Sequence, residues 1–124
     1  MVSGFNDNTF RPDQKINRAE FVKTIVNARK LFPLALNYNN CFKDVKNQWF
    51  APSICLAKER GWIKGYGELF NPTGEVTREE ARGIVTKAFD MKEYPADVLD
   101  DSEKLENKIS RGQAFQMLYR VLQL

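Results

Sequence analysis

Three arginines, Arg18, Arg78 and Arg111, each directly follow a residue of the Asn, Thr or Ser type that caps helices well. The first position of a helix is unfavourable for a cation, at a cost of about 0.3–1 kcal/mol when the side chain is exposed, because the helix dipole is positive there. A guanidinium beside the amide groups of a helix start is nevertheless suited to gripping a carboxylate or phosphate through two hydrogen bonds. Threefold recurrence of this placement favours anion recognition.

A simpler interpretation is that each arginine pairs with an acid of its own helix, such as Glu20 or Glu80. Surface ion pairs of this kind are common and weak. This interpretation accounts for the first two arginines but not for Arg111, because the equivalent position 113 is glutamine. Anion recognition is therefore the favoured interpretation, and local pairing is the alternative.

The sequence ahead of the arginines repeats. Residues 4–20 and 65–80 share a glycine, an aromatic residue, a polar turn, Phe-x-Pro, a β-branched residue, a cap, arginine and an acid, and residues 109–113 repeat the end of this unit. Each copy predicts a helix start, with Glu20, Glu80 and Gln113 completing capping boxes. Apolar residues follow with helical spacing, so the three helices are expected to bury their faces against one another.

A further helix is predicted ahead of the second copy. It starts around Trp49 to Pro52, since proline is favoured in the first turn, and ends at Gly61, which suits the position after a helix. The aromatic residues Trp49, Trp62 and Tyr66 lie in or near the loop that precedes Arg78. Such rings can stack on the apolar faces of sugars or can belong to the core, and the sequence favours neither role for these three.

Composition restricts the function. The chain has 124 residues, 43% hydrophobic residues and a net charge of +3 from interspersed charges, which predicts one globular domain and no nucleic-acid stripe. It contains no histidine, which excludes Ser-His-Asp and Cys-His catalysis and most zinc enzymes. An enzyme, a cofactor and a metal site are therefore not expected. Composition leaves open whether Cys41 and Cys55 are two buried thiols or one disulfide.

One stretch of the chain resembles the S-layer homology family. The resemblance is carried by Phe42-Lys43-Asp44-Val45, Trp49, Gly61-Trp62-Ile63-Lys64-Gly65-Tyr66, Phe70-Asn71-Pro72 and Val76-Thr77-Arg78-Glu79-Glu80. It implies a mainly α fold, in which helix–loop–helix repeats with short extended loop segments form a pseudo-threefold helical bundle. On this basis residues 1–124 are one domain, with a partial repeat at 1–36, a complete repeat at 37–92 and a degenerate partial repeat at 93–124.

The resemblance also implies a function. Members of this family anchor proteins non-catalytically to the bacterial cell wall, outside the cell. Their usual ligands are anionic secondary cell-wall polysaccharides, often carrying pyruvate ketals, or peptidoglycan-linked glycans, and neither nucleic acid nor membrane insertion is involved. The alternative is a structural or protein–protein interaction module whose glycan grooves are degenerate.

Site residues follow from the matching motif positions. By resemblance, Arg78 holds the ligand carboxylate, and Arg18 and Arg111 occupy the equivalent positions in the partial repeats. The groove is expected to be lined by Asp44, Trp49, Lys64, Gly65 and Tyr66.

Two further expectations depend on the resemblance. A cell-surface location favours a disulfide between Cys41 and Cys55, which would staple the Phe42–Val45 motif to the following helix. The first repeat starts within its loop and lacks a leading helix. Either a shortened chain or completion by a second copy, through domain swapping or a homo-oligomer, would explain this.

Overall fold

The computed structural model describes residues 13–30, 40–64, 67–92 and 107–123. Within these ranges lie four helices, α1 Arg18–Ala28, α2 Ala51–Glu59, α3 Arg78–Ala88 and α4 Arg111–Leu122. The same ranges contain isolated β-bridges in place of strands. The mainly α fold predicted from the sequence is therefore confirmed. None of the described helices combines the length and the apolar character that crossing a bilayer requires.

Three of the helices begin in the same way. The side chains of Asn17, Thr77 and Ser110 each accept a hydrogen bond from the backbone amide three residues later. The side chain at that third position returns a bond to the backbone of the cap, so each start is a complete capping box. The helix starts of α1, α3 and α4 therefore lie where the sequence predicts them.

The β-branched residues ahead of the caps join the three helices in a closed ring. The amide of Ile16 donates to the carbonyl of Ile109 at 3.3 Å, that of Ile109 to Val76 at 2.9 Å, and that of Val76 to Ile16 at 3.2 Å. All three side chains are buried. Each segment stands in the same relation to the next, so the helix starts are arranged with pseudo-threefold symmetry.

A second set of backbone hydrogen bonds has the same threefold pattern but runs from repeat to repeat in the opposite sense. The amides of Arg18, Arg78 and Arg111 donate to the carbonyls of Gly74, Asn107 and Gln14, at 2.9, 2.9 and 2.8 Å. The first amide of a helix has no partner within its own helix. Here the neighbouring segment supplies that partner in all three cases.

The core lies beneath this ring. The positions three, seven and ten residues after each arginine face the centre, and all of them except the half-buried Ala28 are buried. They are Phe21, Ile25 and Ala28 on α1, Ala81, Val85 and Ala88 on α3, and Ala114, Leu118 and Val121 on α4. The predicted packing of apolar faces is observed for α1 against α3 and for α1 against α4.

Helix α2 packs against α1. Phe50 is its N-cap, Pro52 lies in the first turn, and Gly61 follows the helix with φ of +78°, a conformation that glycine adopts easily. Cys55 on α2 forms a disulfide with Cys41, with the two Cα atoms 5.6 Å apart. The predicted disulfide is therefore present, and it ties the Phe42–Val45 motif to α2.

Removing this disulfide is expected to destabilise the fold. The bridge closes a loop of 14 residues, for which the chain-entropy model gives about 3 kcal/mol. The double variant Cys41→Ser/Cys55→Ser should lose about that much free energy of unfolding in urea, and wild type under reducing conditions should behave alike. Titration of the unreduced, denatured wild type should find no reactive thiol, and two reactive thiols would contradict the pairing.

Candidate functional site

The repeated arginines form ion pairs between helices. Arg18 of α1 donates through Nη2 to Oε2 of Glu80 on α3, and Arg111 of α4 donates to Oε2 of Glu20 on α1 at 2.9 Å. The arginines are only 7% and 9% exposed. The sequence suggested pairing with the acid of the same helix as the alternative to anion recognition. The described pairing instead links neighbouring repeats.

Each of these glutamates divides its two oxygens between two tasks. In Glu20, Oε1 accepts from the amide of Asn17 while Oε2 faces Arg111, and in Glu80, Oε1 accepts from Thr77 while Oε2 faces Arg18. The capping box thus orients the carboxylate toward the neighbouring guanidinium. The dipole penalty on a cation at a helix start is offset by this anion.

The third junction lacks a carboxylate at the equivalent position. The rotation that relates Arg18 to Glu80 places Gln113 of α4 opposite Arg78 of α3. Gln113 keeps the capping role, since its Oε1 accepts from the amide of Ser110 at 2.9 Å. Arg78 is 1% exposed and is one of the largest fully buried side chains in the described part of the chain. At this junction the position equivalent to Glu20 and Glu80 is therefore occupied by Gln113, and the buried arginine of the junction is Arg78.

The first amides of α1 are already bonded within the chain. Those of Arg18 and Ala19 donate to Gly74 and Pro72 at 2.9 and 3.0 Å, and that of Glu20 donates to the side chain of Asn17. The sequence predicted that such amides would contribute to anion binding. At α1 they are occupied, so the charge available to a ligand comes from side chains.

Beside the Arg18–Glu80 pair lies an open groove of about 230 Å³, called here the Arg18 groove. It is formed by Arg18 of α1, by α3 and by the segment that leads from α2 to α3. Its lining residues are Arg18, Trp62, Ile63, Lys64, Phe70, Glu80, Gly83, Ile84 and Lys87. The arginine of one repeat thus meets the loop and helix of the next.

The apolar wall of the groove is held by Asp44. Its two carboxylate oxygens accept from the amides of Phe70 and Asn71, at 2.9 and 2.7 Å. The ring of Phe70 stacks on Phe42, with ring centroids 5.4 Å apart. Because Phe42 follows Cys41, the disulfide, Asp44 and the Phe70 wall form one connected support.

The charge of the groove is positive. The opposite charges of Arg18 and Glu80 offset each other, and Lys64 and Lys87 remain, both of them exposed and neither in an ion pair with another described residue. Burial lowers the pKa of Arg18, although a guanidinium keeps its charge at neutral pH. An anion that enters the groove is therefore close to two exposed lysines and to an ion pair that has no net charge.

The structure gathers only some of the predicted site residues. Arg18 and Lys64 line the Arg18 groove, and Asp44 supports its wall. Trp49 is 51% exposed and packs edge-on against Phe50 rather than lining the groove. Arg78 and Arg111 lie at the other two junctions. Gly65 and Tyr66 fall outside the described residues.

Gly83 and Lys87 are among the groove residues that sequence reasoning missed. They lie on α3, five and nine residues after Arg78. A glycine inside a helix costs about 1 kcal/mol relative to alanine, and this was an available signal of a special position. A Cβ atom at Gly83 would meet nothing within 4 Å, so glycine there keeps the groove open. No group of three potential metal ligands occurs in the described ranges.

Comparison with known proteins identifies relatives of the chain. The family model described as "S-layer homology domain" matches residues 2–22 and 42–81. Exoglucanase XynX of Acetivibrio thermocellus is 36% identical over 92 residues, which cover 73% of this chain and 8% of that protein.

Two other relatives carry names that refer to an S-layer or to anchoring. The S-layer protein sap of Bacillus anthracis is 28% identical over 90 residues, 73% of this chain and 11% of the relative. The cellulosome-anchoring protein of Acetivibrio thermocellus is 29% identical over 104 residues, 81% of this chain and 23% of the relative. The chain thus spans less than a quarter of the length of each of these relatives.

Removing the carboxylate of Glu80 is expected to destabilise the fold. Glu80→Gln keeps the capping oxygen and takes an anion away from the buried Arg18, so the free energy of unfolding should fall by about 1–3 kcal/mol. Urea unfolding tests this pairing, and an unchanged stability in Glu80→Gln would contradict it.

Two glycines provide a second, matched test. A Cβ at Gly74 would lie 2.8 Å from Nη1 of Arg18 and collide with the side chain of Asn71. Gly74→Ala is therefore expected to lower the free energy of unfolding by about 1–3 kcal/mol. Gly83→Ala meets open space within a helix and should raise it by up to about 1 kcal/mol. Thermal unfolding distinguishes the two, and equal effects would contradict the described packing.

Proposed function

The chain belongs to the S-layer homology family of cell-surface anchoring modules, and on that premise we propose that it attaches to the bacterial cell wall by binding an anionic wall glycan in the Arg18 groove. The module binds and does not catalyse. The division into repeats stays a prediction from the sequence, and within it the complete repeat at 37–92 would supply the loop and helix of the groove.

The observation that carries this proposal is the composition of the Arg18 groove. Lys64 and Lys87 provide exposed positive charge, and the edges of the largely buried rings of Trp62 and Phe70 line the groove next to it. Sugars present apolar C–H faces and polar groups together, and sites that bind them combine aromatic walls with a few placed polar groups. The groove has both components.

The ligand we propose is a sugar that carries a carboxylate, such as a pyruvate ketal. Its carboxylate would lie between Lys64 and Lys87, with the ion pair of Arg18 and Glu80 as the floor. Direct contact between Arg78 and the carboxylate remains a prediction from the family resemblance. Because Arg78 is 1% exposed, this contact would require the junction to open, and substitution of Arg78 therefore distinguishes the two arrangements.

The test is a pull-down with purified wall polysaccharide, before and after mild acid removes its ketal groups. Lys64→Ala and Lys87→Ala should each weaken binding to the untreated polymer about tenfold, since each removes one charge-assisted contact. Ketal removal should weaken binding of wild type more than either lysine substitution does, and it should have a smaller further effect on each lysine variant than on wild type. Gly83→Leu should block the groove without changing its charge.

Lys46→Ala is the matched control, because it removes an equally exposed lysine from a different surface. Binding that is insensitive to Lys64, Lys87 and Gly83 would refute the assignment of the groove. Binding that is lost only in Arg78→Ala, with the fold intact by circular dichroism, would favour the buried arginine as the direct ligand. Binding unchanged by ketal removal would refute the carboxylate.

A second candidate function, a protein–protein interaction module, is favoured by one observation. Helix α4 leaves Tyr119 and Leu122 exposed on one face. Completion of the first repeat by a second copy is one form of this alternative. Sedimentation across a concentration series tests completion by a second copy directly, because a swapped dimer would have twice the monomer mass.

A further inference from the structure

The disulfide between Cys41 and Cys55 lies beside an open pocket of about 460 Å³, called here the lysine pocket. Cys41 is partly exposed and lines this pocket, whereas Cys55 lies on α2, is 5% exposed and is not part of the lining. The other lining residues are Asn40, Phe42, Lys43, Lys46, Lys58, Gly67 and Glu68. A reagent that approaches the disulfide through this pocket therefore meets Cys41 first.

The rim of the lysine pocket is positive. Three lysines and one carboxylate line it, and Nζ of Lys43 lies 2.8 Å from Oε2 of Glu68. Lys58 donates through Nζ to the carbonyl of Cys41 at 2.6 Å, and this Nζ lies 4.3 Å from the centre of the Phe42 ring. The nucleophile that opens a disulfide is a thiolate anion. Positive charge around Cys41 therefore concentrates the attacking species at the bond.

Residues 41–45, called here the strap, connect the disulfide to the Arg18 groove. On one side the strap is joined to α2 by the disulfide. On the other side Asp44 accepts from the amide of Phe70 at 2.9 Å, and the ring of Phe42 stacks on the ring of Phe70, which lines the groove. The position of the Phe70 wall therefore depends on how firmly the strap is fixed to α2.

We propose that Cys41 is the point of attack for an external dithiol reductant, and that reduction releases the Phe70 wall and so lowers the affinity of the Arg18 groove for its glycan. The effect on affinity rests on the proposed function. The release of the wall does not, because it concerns contacts within the chain.

The reaction is an ordinary thiol–disulfide exchange. A thiolate of the reductant attacks the sulfur of Cys41, forms a mixed disulfide with it and releases Cys55 as a thiolate, which takes up a proton. The second thiol of the reductant then attacks the mixed disulfide and releases Cys41. The reductant gives up two electrons and two protons as it forms its own disulfide, and the two cysteines end as thiols.

Reduction should loosen the wall without unfolding the module. The three helices of the ring, α1, α3 and α4, carry neither cysteine, so the hydrogen bonds that join their starts are untouched. The contacts of Asp44 and Phe42 bind the strap to Phe70, and the covalent link that is lost is the one to α2. The strap and the Phe70 wall can then move together relative to α2.

The first experiment measures how fast the full chain is reduced by 2-mercaptoethanesulfonate, which is anionic, and by cysteamine, which is cationic. Lys46→Ala should slow the anionic thiol about threefold and leave the cationic thiol no slower. High salt should remove this difference. Lys87→Ala, which removes a lysine from the Arg18 groove, is the matched control and should not change either rate. In glycan binding the two variants should exchange roles.

The second experiment compares the oxidised and the reduced chain. Reduced wild type and Cys41→Ser/Cys55→Ser should bind wall polysaccharide about tenfold more weakly than oxidised wild type. Without polysaccharide, nuclear magnetic resonance should show that the amide signal of Phe70 shifts on reduction while that of Ile109 in the ring does not. Val121→Ala, which truncates a buried residue of α4, controls for general loss of stability and should leave binding unchanged.

Four results would overturn the inference. Equal rates for Lys46→Ala and Lys87→Ala with the anionic thiol would refute attack through the lysine pocket. Unfolding of the whole chain on reduction, seen by circular dichroism, would refute a local release, and so would a Phe70 signal that does not respond. Equal binding by the oxidised and reduced chains would refute the coupling. Failure of the oxidised wild type to bind would instead refute the proposed function, and the rates and the Phe70 signal would then decide the inference.

Discussion

The architecture depends on one closed set of hydrogen bonds, in which Ile16, Val76 and Ile109 each donate to one neighbour and accept from the other. A buried amide or carbonyl without a partner is costly, so none of the three segments is satisfied unless both others are present. The ring therefore couples parts of the chain that lie far apart in sequence. It also fixes the rotation between the helices, and every contact between repeats follows from that rotation.

The ion pairs are the clearest consequence of this geometry. A glutamate at the third position of a helix already orients its carboxylate toward the cap through the capping box. The ring brings the arginine of the neighbouring helix to the oxygen that remains, as Arg18 meets Glu80 and Arg111 meets Glu20. One side chain thereby stabilises its own helix start and joins two repeats. Gln113 retains the first role and gives up the charge of the second.

The sequence predicted the local structure well because local structure has local causes. The caps, the amphipathic faces and Gly61 could be recognised from residue types at short spacing, and the cysteine pairing followed from the family resemblance. The partner of Arg18 could not be identified in the same way, because Glu80 is separated from it by 62 positions and only the rotation of the ring brings the two together.

In the candidate site, too, some residues could be predicted from local motifs and others only from the packing of distant segments. Lys64 was expected from the loop motif, while Lys87 has no motif and enters the groove only because α3 turns that face toward Arg18. Trp49 was expected from its chemistry, but its ring lies against Phe50 on the exposed side of the segment before α2. Residue type indicates what a side chain can bind, whereas its place in the packing decides whether a ligand can reach it.

The three junctions share a backbone plan and differ in the side chains that would meet a ligand. Five residues after the arginine, α3 has Gly83, α1 has Lys23 and α4 has Gln116. Only the glycine leaves that position free of a side chain, and at that junction the loop wall of Phe70 is held in place by Asp44. At the α4–α1 junction, aromatic and aliphatic residues line the groove where the Arg18 groove has its two lysines. Because the ring holds the backbone constant, substitutions at a few outward positions are sufficient to give each junction a different surface.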